Sequence, residues 1–233
     1  MKTMRKIRST SALLAALLLC VSVSAQTLPM FIGTGGRAYP TWNVATKSTN
    51  ITFSNGNLTF TGTNGAATGL SIATVGKSSG KWYWEITVNS IIGSIGLSRN
   101  VAGISSVIPA LNNTTGEIGS LLGTAGMRGN AFNTAVWYNF TTFQNLGSFT
   151  TDWAVGSVLS YALDMTGGTL QIYLDGTYVG TSIPVPAGTF YPACGSDGQG
   201  LAATANFGAS AFASVTSSLR TTLAAAGYTM GIY

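Results

Sequence analysis

Gly80-Lys81-Trp82-Tyr83-Trp84-Glu85-Ile86-Thr87-Val88 is the stretch whose reading decides the fold. Trp82, Trp84, Ile86 and Val88 fall on one face at period two, and Lys81, Tyr83, Glu85 and Thr87 on the other. That alternation marks a half-buried β-strand. Each tryptophan ring can bury ~150–250 Å² of apolar surface, so the strand needs a sheet or a second layer over it. It belongs in the middle of a core.

Working outward, the turn Gly76–Gly80 precedes this strand, and Gly69–Val75 reads as another strand before it. Earlier still, Ile51–Ser54 and Asn57–Phe60 flank Asn55-Gly56, a pair that favours the two-residue type I′ hairpin turn. Gln26–Lys47 has no clean periodicity and reads as an extended lead-in. On the C-terminal side, Ile91–Ser98 looks like the neighbouring strand, with glycines where another backbone or ring comes close. Arg99–Arg128 is the least regular part and suggests long loops with short strands between them. Loops on a rigid scaffold commonly carry binding residues. Strand character resumes in Ala131–Phe140, around Trp137-Tyr138.

The clearest pattern follows Asp152-Trp153. Val158–Asp164 and Thr169–Leu174 alternate as strands, and Asp175-Gly176 is a two-residue turn into Thr177–Thr181. The implied register pairs Tyr173 with Tyr178 and Ile172 with Val179. Thr189–Cys194 and Ala203–Phe207 supply further strands, and Ser214–Ala226 has the pattern of a short helix stopped by Gly227. With no internal repeat, the chain reads as all-β, two packed antiparallel sheets.

Only 7% of the 233 residues are charged, against roughly 25% in typical soluble domains. The start of the chain stands apart from the rest. Lys2, Arg5, Lys6 and Arg8 precede the apolar run Ala12–Val21, and Val23-Ser24-Ala25 offers small residues for a signal peptidase. The run is shorter than the ~20 residues of a membrane span. A secretory signal over residues 1–25, cleaved near Ala25, is the expectation, and with it an extracellular or periplasmic protein. Cys20 follows three leucines rather than the small residue a lipoprotein site wants.

Cleavage leaves seven basic residues against six acidic ones, a net charge of +1. No Lys/Arg cluster remains for phosphate contacts, so nucleic acid is not an expected partner. The mature chain keeps one cysteine, Cys194, which reads as a small buried hydrophobe or, less simply, a reactive thiol.

The motif series resembles the SPRY family. Gly80–Val88 is similar to that family's Trp-Glu-Val strand, and Ile95-Gly96-Leu97-Ser98 to the strand after it. Val155–Val158, Ala162–Tyr173 and Asp175-Gly176 resemble its Leu-Asp turn and hairpin; Tyr191-Pro192-Ala193 and Ala205–Gly208 resemble its closing strands. The resemblance runs from about Asn50 to Phe212 and lacks the Leu-Asp-Pro motif of the PRY extension. It implies a bent, concanavalin-like β-sandwich over residues 49–213, used for binding rather than catalysis. The lead-in would cover residues 26–48, and residues 214–233 would pack on or close the sandwich. The Gly/Asn/Thr-rich style is most similar to bacterial and phage-tail members. A secretory signal departs from these and from the cytosolic animal members that recruit ubiquitin ligases.

The chain has no histidine, which excludes Ser-His-Asp and Cys-His nucleophile activation and the usual zinc sites. Ser78-Ser79-Gly80-Lys81 has Ser-x-x-Lys spacing, but a strand rather than a helix follows it. Glycosidases need two acids ~5–9.5 Å apart, and Glu85 has Thr87 where a same-face partner would stand. Glu85 therefore reads as a cross-strand contact or the acceptor for a buried donor. Asp164 and Asp175 read as turn residues bonding nearby N–H groups, with a calcium site using Asp164, Asp175 or Asp197 as the alternative. No cofactor is called for.

The ligand-binding candidates, taken as loop residues, are Arg99, Asn100, Arg128, Asn130, Trp137, Tyr138 and Trp153. The arginines and asparagines could donate hydrogen bonds. The aromatics could stack on a sugar or a partner side chain, or pack in the core. Together these imply a secreted, non-enzymatic module for a protein ligand, with a lectin-like or phage-derived adhesin domain for glycans as the alternative.

Overall fold

A computed structural model describes residues 38–62, 68–91, 99–106, 122–129, 134–149, 154–197 and 201–232. The segment expected to be a signal and the strand expected over Ile91–Ser98, apart from Ile91, lie outside the described residues. In chain order the first elements are β1 (Ile51–Ser54), β2 (Thr59–Gly62), β3 (Thr68–Ile72), β4 (Lys81–Ile91) and β5 (Arg99–Ser105). Then come β6 (Thr124–Gly129), β7 (Thr134–Asn139), β8 (Phe143–Phe149), β9 (Val158–Asp164) and β10 (Thr169–Leu174). The chain closes with β11 (Thr177–Pro184), β12 (Tyr191–Asp197), β13 (Leu201–Asn206), α1 (Ser217–Ala225) and β14 (Thr229–Met230).

Two sheets result. One has the order β1-β2-β13-β4-β9-β10-β11, with β14 alongside β4; the other runs β3-β12-β5-β6-β7-β8. Every pairing is antiparallel except β14 with β4. Trp84, Ile86, Leu159, Tyr161 and Leu163 of the first sheet share one core with Ala102, Ile104, Met127 and Val136 of the second. This is the expected all-β sandwich of two antiparallel sheets.

The Trp-rich strand β4 lies at the centre of its sheet, between β13 and β9. Its expected partnership with the 158–181 strands is observed. Its other neighbour is Leu201–Asn206, and Ile91 is the last residue of β4 itself. Trp84 is fully buried and stacks on Tyr161, with ring centroids 5.3 Å apart and planes 17° from parallel.

The opposite face of β4 is not the solvated one that alternation suggests. Tyr83 and Glu85 are 0% and 1% exposed, because the C-terminal segment covers them. Val215 and Leu223 pack on Tyr83, Ala162 and Tyr173, with Phe212, Leu219, Tyr228 and Met230 around them. Helix α1 starts at an N-cap, Thr216, whose hydroxyl accepts the Leu219 N–H at 3.2 Å, and Gly227 at φ 81° ends it. Trp82, by contrast, is only half-buried at the margin of the core, with the Lys77 ammonium 3.7 Å from its ring centroid.

Four local expectations need correction. The β1–β2 turn has four residues, not two: Ser54 pairs with Thr59, and Asn55, Gly56 and Asn57 all have positive φ. Leu58, in the longer turn, packs against the core, and that contact favours the wider loop. In the β10–β11 hairpin Tyr173 does pair with Tyr178, but the register then shifts so that Gln171 faces Ser182. Ile172 therefore does not pair with Val179; β11 carries an irregularity containing Gly180 at φ 81°. The lead-in is not merely extended, since Trp42 bridges to Ala73 and its ring is fully buried against Phe207 and Phe60. Within Arg99–Arg128, residues 99–105 and 124–128 belong to full strands of the second sheet.

Candidate functional site

The expected binding residues separate into two groups. Arg99 and Asn100 open β5, and Arg128 lies in β6, where it pairs with Val101 and Ala135. These three sit on strands, not loops, as do Trp137 and Tyr138 of β7. Tyr138 is three residues beyond Ala135, roughly 10 Å further along the strand. Asn130 and Trp153 lie outside the described residues, as do the side chains of Arg99, Asn100, Arg128 and Trp137.

Tyr138 lines a cleft of about 340 Å³ with Phe140, Thr141, Thr142, Gln144, Pro184, Val185 and Pro186. One wall is the turn from β7 into β8; the other is the end of β11 and the residues after it. β8 and β11 are the last strands in the order of their sheets, so the cleft opens where the two sheet margins face each other. The wall of the first sheet is set by register: Lys81 pairs with Asp164, Asp164 with Thr169, and Thr169 with Pro184. Val185 anchors that wall by donating its N–H to Gly168 O at 2.8 Å while its side chain enters the core.

The aromatic wall is held as firmly. Tyr138 and Phe140, two apart on one face, have ring centroids 5.9 Å apart and planes tilted by 34°. Phe140 meets the buried Phe190 edge-on at 5.4 Å, and Phe190 exchanges two backbone hydrogen bonds with Lys77. Gln144 Nε2 donates to Thr142 Oγ1 at 3.3 Å, which orients the amide. No lining residue carries a charge or a strong nucleophile. The chemistry available is stacking, apolar packing and neutral hydrogen bonding.

The carboxylates of the first sheet's turns are committed to structure. Asp164 sits 3.1 Å from the Lys81 ammonium and accepts the Thr166 and Gly167 N–H groups at 2.9 and 2.7 Å. Burial pushes its carboxyl pKa up, but the Gly167 N–H, Lys81 and the Thr166 N–H outweigh this and hold it below the ordinary carboxylate value. Asp175 accepts the Val158 N–H at 2.7 Å and the Ser157 hydroxyl at 3.2 Å, so it ties its turn to the loop before β9. Both carboxylates thus engage protein donors, which counts against the calcium alternative; the side chain of Asp197 lies outside the described residues.

Glu85 is the acceptor for buried donors that its sequence setting suggests. Its carboxylate takes the Ala213 and Ser214 N–H groups at 2.7 and 3.1 Å, the Ser214 hydroxyl at 2.8 Å and the Tyr83 hydroxyl at 2.9 Å. Tyr83 is pushed well above the usual phenol range, chiefly by burial. Burial likewise raises the Cys194 thiol to about 12, leaving it a packing residue.

Of the cleft residues, sequence reasoning reached Tyr138. It missed Phe140, Thr141, Thr142, Gln144 and Pro184–Pro186. The usable signal was Tyr138-x-Phe140 at period two running into a polar turn.

Fold and site together define a β-sandwich with a neutral, aromatic-walled cleft at its margin. No family model matches the chain, and no curated protein matches it. Among solved structures, the SPRY domain of human HERC1 is similar at 17% identity and TM-score 0.47, covering 70% of this chain and 96% of that one. A human SPRY domain gives 15% identity, TM-score 0.47 and coverages of 70% and 98%; a TRIM65 PSpry domain gives 14%, 0.45, 72% and 92%. All three are SPRY domains.

Proposed function

We propose that the chain is a secreted, non-enzymatic binding module of SPRY type that holds a protein ligand at the margin of the sandwich. The observation that carries this reading is the cleft at Tyr138 and Phe140. It is walled by the margins of two sheets, its lining residues include no acid–base or nucleophilic pair, and Tyr138, a binding candidate from the sequence, is one of them. Secretion rests on the signal-like residues 1–25. The bacterial or phage-type affinity rests on composition and the motif series.

Two experiments test it. Mass spectrometry of the exported protein should find a chain beginning at Gln26; an intact N-terminus on protein recovered outside the cytoplasm contradicts secretion by cleavage. Immobilised mature protein should retain a protein partner that Tyr138→Ala releases, with no hydrolysis of glycans or esters. A glycan-binding reading draws on the Thr141, Thr142 and Gln144 polar groups beside two rings, and a glycan array decides it. Neutral glycan binding lost with Tyr138→Ala would favour it over the protein ligand.

A further inference from the structure

We propose that Asn55-Gly56, in the β1–β2 turn, is a modification site: the Asn55 amide deamidates spontaneously through its own backbone, with water as the co-reactant. The cleft plays no part in this chemistry.

The reaction needs a side-chain amide that is free to turn and a following backbone nitrogen that nothing crowds. Asn55 is exposed, and its side-chain amide has no hydrogen-bond partner among the described residues. Its backbone carbonyl accepts the Leu58 N–H at 3.1 Å, so the main chain closes the turn and leaves the side chain loose. The Gly56 N–H donates to no backbone carbonyl among the described residues. Glycine has no Cβ to shield that nitrogen, and a side chain added there would meet nothing within 4 Å.

The Gly56 nitrogen loses its proton and bonds to Asn55 Cγ, and the bond from Cγ to the amide nitrogen breaks. Ammonia leaves with that proton, and a cyclic imide remains. Water then opens the imide at either carbonyl, giving aspartate or its isomer, isoaspartate, in which the main chain runs through the side-chain carbon. Both products carry one more negative charge than asparagine. Isoaspartate also lengthens a turn in which Asn55, Gly56 and Asn57 all hold positive φ and Leu58 packs on the core. The β1 strand it would loosen is the last of its sheet, so the disturbance stays local.

The Asp175-Gly176 turn shows what holds such a pair back. Its φ values of 49° and 79° are close to the 51° and 61° of Asn55 and Gly56, and an Asp-Gly pair reacts through the same imide. The Asp175 carboxylate, however, accepts the Val158 N–H at 2.7 Å and the Ser157 hydroxyl at 3.2 Å, and it cannot swing onto the Gly176 nitrogen without losing both. A side chain added at Gly176 would lie 2.6 Å from Ser214 O, so this turn is also covered. Similar backbones thus differ in side-chain freedom.

The test stores the folded chain from Gln26 onward in neutral buffer and follows it by isoelectric focusing and linkage-resolving peptide mapping. An acidic form should accumulate with aspartate and isoaspartate at 55, while Asp175 keeps its normal linkage. Asn55→Gln keeps an exposed amide but needs a larger ring, so it should abolish that product with an unchanged melt. Asn55→Asp puts Asp-Gly in both turns of one molecule, and isoaspartate should then form at 55 and not at 175. Asn64-Gly65 lies outside the described residues and is read from its own peptide. Asn55 staying an amide in the folded chain, while converting in denaturant, would overturn the proposal by showing that the turn protects it. Equal isoaspartate at 55 and 175 in Asn55→Asp would overturn the role given to side-chain freedom.

Discussion

Two short aromatic runs, Trp82-Tyr83-Trp84 and Trp137-Tyr138-Asn139-Phe140, look alike in sequence and end in different situations. In the first, Trp84 is sealed between the sheets and Tyr83 lies beneath the C-terminal segment, so both faces of the strand are covered. In the second, Tyr138 and Phe140 lean against the core and remain half-open along the cleft. What separates them is the number of layers above each strand: β4 is central and roofed on its outer side, while β7 lies one strand from the sheet margin. Aromatic content alone distinguishes neither a core nor a site.

Substitutions can break that contrast, and the largest effect should come from the sealed run. Trp84→Ala removes a fully buried ring stacked on Tyr161 and should cost ~3–5 kcal/mol in a denaturant melt; a loss below about 1 kcal/mol would mean the ring is not core. Glu85→Ala should follow at about 2–4 kcal/mol, because it strands buried donors from Tyr83, Ala213 and Ser214. Its melt should also show faster proteolysis of the C-terminal segment. Tyr138→Ala should cost only about 1–2 kcal/mol, given a half-open ring, while binding falls much further.

The smallest effect belongs to the ion pair, and it carries a pH signature. The pKa of Asp164 is lowered in the folded state, so its contribution is present above the ordinary carboxylate value of about 3.9 and is lost as pH falls through the lowered one. Asp164→Asn should cost at most about 1 kcal/mol near neutrality, since Lys81 is partly exposed, and should flatten the acid limb of the stability curve. An acid limb unchanged by this substitution would show that Asp164 does not supply it.

The same contrast explains what the sequence could reveal. Strands β9 and β10 match the expected Val158–Asp164 and Thr169–Leu174, because alternation and the Asp175-Gly176 turn are local signals that agree. A buried donor for Glu85 was within reach, but the burial of Tyr83 and the identity of those donors were not legible: they depend on a segment more than 120 residues later folding back over the strand. Trp42 was missed for a related reason, since a single ring inserted from an aperiodic lead-in leaves no pattern. The cleft joins residues 138–144 to 184–186, two stretches brought together only by sheet pairing and packing, so Tyr138 was within reach of local reading and Pro184–Pro186 were not. Arg99, Asn100 and Arg128 looked like loop donors because glycine and asparagine punctuate their surroundings, yet β5 and β6 take them up as strand residues.

The most direct measurement is an amide chemical-shift map of the labelled chain from Gln26 onward on addition of a protein it captures. Shifts concentrated at Tyr138–Gln144 and Ile183–Val185, with Lys81–Val88 unmoved, are the expected result. Shifts centred instead on Lys81–Val88, or on the Arg99–Val101 and Met127–Gly129 end of the second sheet, would contradict the assignment of the cleft as the site.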